Sequence, residues 1–268
     1  MIFRLAFYAR YFTWRKFLKM INLLFNSNNP LFASFSPTHL FLMALPILGI
    51  ILMLKNKETV KSAKTSKSIW FALMALLFGQ QVLLYGWYYF TGNFDVKDAL
   101  PLYPCRISSL LCIALMFKWN EDWFNLLFFM GLPGAALALL MPDTWNLGFP
   151  NAMCIQFFAG HSAILMTIFY LVITKDYKPS KKALISAYKF CSIYLGLLIV
   201  INQYLGSNYG YMAAKPNISA LSWLPNYPYH LPIFIGFMYF IYWVVYAIWP
   251  NKTKALGDET ITDKEAII

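Results

Sequence analysis

The chain has 268 residues, of which 60% are hydrophobic and 12% charged, with a formal net charge of +11. A soluble domain is nearer a quarter charged. Here the apolar residues run in long blocks, which excludes a water-soluble globular fold and points to an all-α polytopic membrane bundle. The positive charge does not imply nucleic-acid binding. The lysines cluster in two short loops and most arginines lie near the N-terminus, the pattern that encodes membrane topology.

Residues 1–30 form a basic N-terminal segment. On a helical wheel Arg4, Arg15, Lys16 and Lys19 fall on one side, and Phe3, Phe7, Trp14, Phe17, Ile21 and Phe25 on the other. This predicts an amphipathic helix lying on the membrane surface rather than crossing it. Five basic residues scattered through residues 1–25 leave no compact apolar core, so no cleavable signal peptide is expected. Residues 31–250 are expected to form a seven-helix transmembrane domain, and residues 251–268 a disordered tail of mixed charge.

The first span runs from about His39 to Leu54, with Ser36 as cap and Pro37 in the first turn. A loop with five lysines follows, then a second span, Ile69 to Phe90. The third is Ala99 to Phe117, entered through Pro101 and Pro104. The fourth, Trp123 to Met141, holds Gly131, Pro133 and Gly134, which favour close packing and a kink. The fifth is Asn151 to Thr174, followed by a loop with four lysines; the sixth is Ala183 to Leu205. A long aromatic loop precedes the seventh span, His230 to Trp249. Both lysine-rich loops fall on one face. The positive-inside tendency makes that face cytoplasmic, with the N-terminus outside and the C-terminus inside the cell membrane.

Depth follows at about 1.5 Å per helical residue. Cys105 and Arg106 open the third span at the outer side, and His39 and His230 open the first and seventh there. His161 lies roughly ten residues into the fifth span. Ionisable groups at such depth are costly and raise a functional question. A thiol beside a cation at a helix N-terminus is favoured as thiolate, although a membrane cysteine is most often a small apolar filler. Cys105, Ser108, Ser109 and Cys112 share one helix face, and Gln156 is well round its helix from His161. Arg106 either snorkels or binds a lipid phosphate. The four cysteines show no CxxC pair, so neither a disulfide framework nor a zinc site is supported, and no cofactor motif is present.

Four motifs occur in order: Ser36-Pro37-x-His39, Leu100-Pro101-Leu102-x-x-Cys105-x-x-Ser108, Gln156-Phe157-Phe158-x-x-His161, and Asn208-Tyr209 followed by Lys215-Pro216. Over about residues 33–250 the chain resembles the YwaF-like family of bacterial integral-membrane proteins. Animal relatives of that family include a transmembrane acyltransferase that makes polyunsaturated ether phospholipids. The resemblance implies a seven-helix bundle and a cysteine–histidine acyl-transfer site at Cys105 and His161. Tyr103-Pro104 and Arg106, flanking the cysteine, depart from the pattern.

The expected function is therefore a lipid acyltransferase or acyl hydrolase acting on membrane lipids, with Cys105 as nucleophile and His161 as general base. Arg106 or Lys215 would hold the lipid phosphate. Ser108 and Asn202 are candidate oxyanion donors, and His39, His230 and Gln156 candidate substrate-binding residues. The alternative is a non-enzymatic transporter or solute-binding protein whose outer pocket is lined by Gln80, Gln81, Asn202, Gln203 and the histidines. A metal site made by His39, His161 and His230 is a third reading, without local ligand spacing to support it.

Overall fold

The computed structural model describes residues 15–16, 19–26, 31–216 and 221–250. Among these the chain is a helical membrane bundle, and its long helices are α1 (Pro37–Lys55), α3 (Ala63–Thr91), α5 (Pro104–Phe117), α6 (Glu121–Leu140), α7 (Ala152–Thr174), α8 (Lys181–Leu205) and α9 (His230–Ile248). Two short helices, α2 (Lys57–Lys61) and α4 (Val96–Ala99), sit inside the expected loops. Six of the helices are long and apolar enough to cross a membrane.

The expected third span is the exception. Its helix starts at Pro104 rather than Ala99 and has 14 residues, about 21 Å at 1.5 Å per residue against a hydrocarbon core of about 30 Å. The missing length is made up by irregular backbone from Leu100 to Tyr103. Such backbone is tolerated at membrane depth only where protein covers it. Here Leu100 N donates to Tyr209 Oη at 3.0 Å, and Arg106 donates to the Leu100 carbonyl.

Local chemistry sets the helix ends. Ser36, Asn120, Asn151 and Ser180 each cap a first turn through their side chains. Gly206, at φ 63°, closes α8 in the left-handed region. Pro133 lies inside α6 as the sequence indicates, and Pro46 lies inside α1.

Helix α7 is central: it packs against α1, α3, α5 and α6. Close approach needs small residues. A Cβ on Gly160 would lie 3.1 Å from Gln80 Oε1 on α3, and one on Gly49 would lie 2.8 Å from Met166 Cε. Helix α9 is peripheral, and of its residues only His230 and Tyr242 are buried.

Residues 19–25 are helical, as expected of the N-terminal segment; residues 1–14 and the tail 251–268 lie outside the described residues. The segment docks at the end of the bundle where α3 stops and α7 begins. Phe25 meets Phe90 at 5.0 Å between ring centroids, and Asn151 Nδ2 donates to the Asn26 carbonyl at 2.8 Å.

Candidate functional site

A cavity of about 450 Å³ opens at the end of the bundle opposite the lysine-rich loops. Its size suits a small ligand or part of a larger one. The mouth is formed by Asp143, Trp145, Tyr211 and Trp223. One inner wall is polar: Gln80, Gln81, Cys105, Ser108, Ser109, Gln156 and His161. The deeper part is apolar, between Gly131 to Ala138 of α6 and the α9 face carrying Phe234, Phe237, Met238 and Ile241.

Cys105 and His161 line the same cavity. Cys105 is the second residue of α5, whose cap, Tyr103, makes no side-chain bond to the first turn. Pro104 brings no N–H, and the first-turn N–H groups of Cys105 and Arg106 face the Cys105 sulfur. Cys105 makes no hydrogen bond to His161 among the described residues. His161 Nδ1 lies 2.7 Å from the Phe157 carbonyl, which can only accept. Nδ1 therefore carries the ring proton, and Nε2 carries the lone pair.

Arg106 also borders the cavity, but its guanidinium is engaged locally. It donates to the carbonyls of Asp98 (2.5 Å) and Leu100 (3.0 Å) and to Tyr88 Oη (2.9 Å), and sits over the Tyr103 ring. Its evident work is to hold the irregular strand that leads into α5. Tyr103 Oη donates to Asp98 Oδ1 at 3.0 Å. At the mouth Tyr211 faces Asp143, and burial, reinforced by that carboxylate, raises its phenol's pKa.

Several residues expected at the site lie outside the cavity. His39 is fully buried: its Nδ1 accepts from Phe35 N at 2.8 Å, and its Nε2 donates to the Leu139 carbonyl at 2.8 Å. It ties the start of α1 to the end of α6. His230, also fully buried, donates from Nε2 to the Tyr211 carbonyl at 2.9 Å. The three histidines thus have separate partners and do not converge. Asn202 caps the following loop, accepting from Tyr209 N and donating to the Tyr209 carbonyl. Lys215 Nζ is taken by the carbonyls of Ser222 and Leu224. Gln203 is exposed, near Tyr227 Oη, so the polar ring expected of a solute pocket is not completed on the α8 side.

Gln156 does line the cavity, although α7 is unbroken, because the cavity wraps round that helix; its amide contacts Met153 Sδ at 3.0 Å. Ser108 donates to the Pro104 carbonyl at 2.8 Å. The sequence reading missed Asp143 and Tyr211, which sit in loops with no periodicity to mark them. It also missed the pairing of Gln80 with Ser109, signalled by a glutamine pair inside an apolar helix.

No curated protein and no solved structure matches the chain. The model of the TMEM164 family, however, matches residues 34–247, from just before α1 to the last turn of α9, and with it the whole cavity wall. The chain therefore belongs to the TMEM164 family.

Proposed function

We propose that this membrane protein transfers fatty acyl groups between lipids through a thioester on Cys105. The observation that carries the reading is His161. Its ring proton is fixed on Nδ1 by the Phe157 carbonyl, which makes Nε2 the basic nitrogen in a cavity that Cys105 also lines. A histidine buried in a membrane helix purely for packing has no need of an open, correctly protonated nitrogen. The apolar depth between α6 and α9 suits an acyl chain, and the motif resemblance to the YwaF-like family, whose animal relatives include a transmembrane acyltransferase, agrees with it.

Transfer takes two steps. Nε2 takes the thiol proton as Sγ attacks the acyl ester carbonyl. The C–S bond forms, the ester C–O bond breaks, and the proton passes to the departing lysolipid oxygen. An acceptor hydroxyl then gives its proton to Nε2 and attacks the thioester, and the C–S bond breaks to regenerate the thiol. Water as acceptor makes the same site a hydrolase. Transfer requires Sγ and Nε2 to come within hydrogen-bond reach, and contacts of this kind are often longer at rest than in the substrate complex.

The lysine-bearing end, with Lys55, Lys57, Lys61, Lys64, Lys67 and Lys175, is assigned to the cytoplasm and the cavity mouth to the outer side. Reporter fusions after residue 28 and after residue 250 should report outside and inside respectively. The reverse result overturns the orientation.

The decisive experiment is comparative lipidomics of cells expressing wild type or Cys105→Ala, with transfer of a radiolabelled oleoyl chain in proteoliposomes. Loss of transfer in Cys105→Ala and Cys105→Ser supports the thioester route. Transfer that survives both replacements rules it out.

A further inference from the structure

The acyl-transfer reading leaves open which group receives the negative charge that develops on the lipid carbonyl oxygen. Resting on that reading, we propose that Ser109 is this donor and that Gln80 holds it ready. Both are almost fully buried yet line the cavity.

The assignment comes from counting hydrogens. Gln80 Nε2 lies 3.0 Å from the Leu77 carbonyl, which only accepts, so this end of the amide is the NH2 group. Its second hydrogen goes to Ser109 Oγ at 2.9 Å. Ser109 therefore accepts from Gln80 and keeps its own proton. Serines within helices usually give that proton to the carbonyl four residues back. Ser108 does so, to Pro104. Among the described residues Ser109 makes no such bond, so its O–H remains available to the cavity.

Position agrees. Ser109 is four residues after Cys105 on an unbroken helix, which sets their Cβ atoms about 5–6 Å apart on one face. A carbonyl carbon bonded to the Cys105 sulfur can direct its oxygen one turn deeper, toward Ser109. The Gln80 amide is held through both of its N–H bonds, and its Oε1 lies 3.1 Å from where a Gly160 Cβ would stand, against the helix that carries His161. Gln80 is thus a positioning residue, linking the donor on α5 to the helix that carries the base. The other sequence candidates fail on geometry: the Ser108 proton is spent on Pro104, and Asn202 lies outside the cavity.

The test uses the full chain in phosphatidylcholine liposomes carrying a radiolabelled oleoyl chain, with lysophosphatidylethanolamine as acceptor. Ser109→Ala should lower kcat by about 10²–10³-fold with KM little changed, the usual cost of removing one such donor. Ser109→Thr, which keeps the hydroxyl, should retain most of the rate. Gln80→Met should lower kcat without changing KM, since Ser109 is then released to bond back along its own helix. Iodoacetamide labelling of Cys105 should match wild type in all three, because alkylation develops no oxyanion. A Ser109→Ala rate within about threefold of wild type, with Cys105→Ala inactive, overturns the donor assignment and leaves the thioester reading standing. Should Ser109→Ala fail to fold, Gln80→Met decides, and a full rate in it overturns the proposal. Full transfer by Cys105→Ala overturns both.

Discussion

His161 Nδ1 lies 2.7 Å from the carbonyl oxygen of Phe157, one turn earlier in α7. That carbonyl already accepts the α-helical N–H four residues on, so the ring contact is additional and removing it orphans nothing. His161→Ala should therefore fold, with little change in melting temperature. Acyl transfer should fall by about 10²–10⁴-fold, the usual worth of a positioned general base. Thermal unfolding in detergent and the liposome transfer assay read the two quantities separately. A full transfer rate in a folded His161→Ala protein removes the base from the mechanism.

Arg106 serves the site through the backbone. Its two terminal nitrogens reach the Asp98 and Leu100 carbonyls and Tyr88 Oη. A lysine ammonium cannot span those three acceptors, so the exchange is not conservative. Arg106→Ala should cost about 2–3 kcal/mol, because it leaves partly buried carbonyls without a donor. Arg106→Lys should recover only part of that loss. Because the strand it holds delivers Cys105, iodoacetamide labelling of the thiol should speed up in both variants as the start of α5 loosens. Unchanged stability and labelling would show that the guanidinium is free for a lipid phosphate instead.

Most of the bundle was legible in the sequence because lipid enforces it: every apolar block of sufficient length became a helix, capped by Ser36, Asn151 and Ser180. The short α5 was misjudged because an apolar count includes Leu100 and Leu102, whereas the helix waits for Pro104. The site was legible in part. Cys105 and His161 stood out as polar groups at a predictable depth, and both line the cavity. His39, His230 and Asn202 stood out by the same rule, but their partners are backbone groups of distant segments. One sequence cannot separate a polar residue that satisfies the fold from one that faces a ligand, because both are buried and only their partners differ.

The mouth of the cavity should be sensitive to alkali. Tyr211 is partly buried and faces Asp143 Oδ2 at 3.4 Å, and its phenol titrates above its usual value of about 10. A raised folded-state pKa means that the unfolded chain ionises first. Its contribution is intact below about pH 10 and is lost as pH rises from there toward the folded pKa. Wild-type stability should hold from neutral pH to about pH 10 and then decline. Tyr211→Phe should match wild type near neutral pH, because the contact it loses is long and exposed, and should decline less steeply. Parallel profiles by thermal unfolding across that range would show that Tyr211 is not the titrating group.

Two glycines make a matched pair that separates packing from cavity volume. A Cβ at Gly160 would fall 3.1 Å from Gln80 Oε1, whereas one at Gly134 would meet nothing within 4 Å. Gly160→Ala forces α3 and α7 apart or rotates the Gln80 amide, and should cost about 1–3 kcal/mol. Gly134→Ala sits in a helix interior facing the cavity, and should be neutral or stabilising by up to about 1 kcal/mol. Enlarging the same position then probes the apolar depth directly. Gly134→Phe should leave the fold intact and fill the space between α6 and α9, so transfer of an oleoyl chain should fall more than transfer of a hexanoyl chain. Equal effects on long and short chains would mean that the acyl group lies elsewhere.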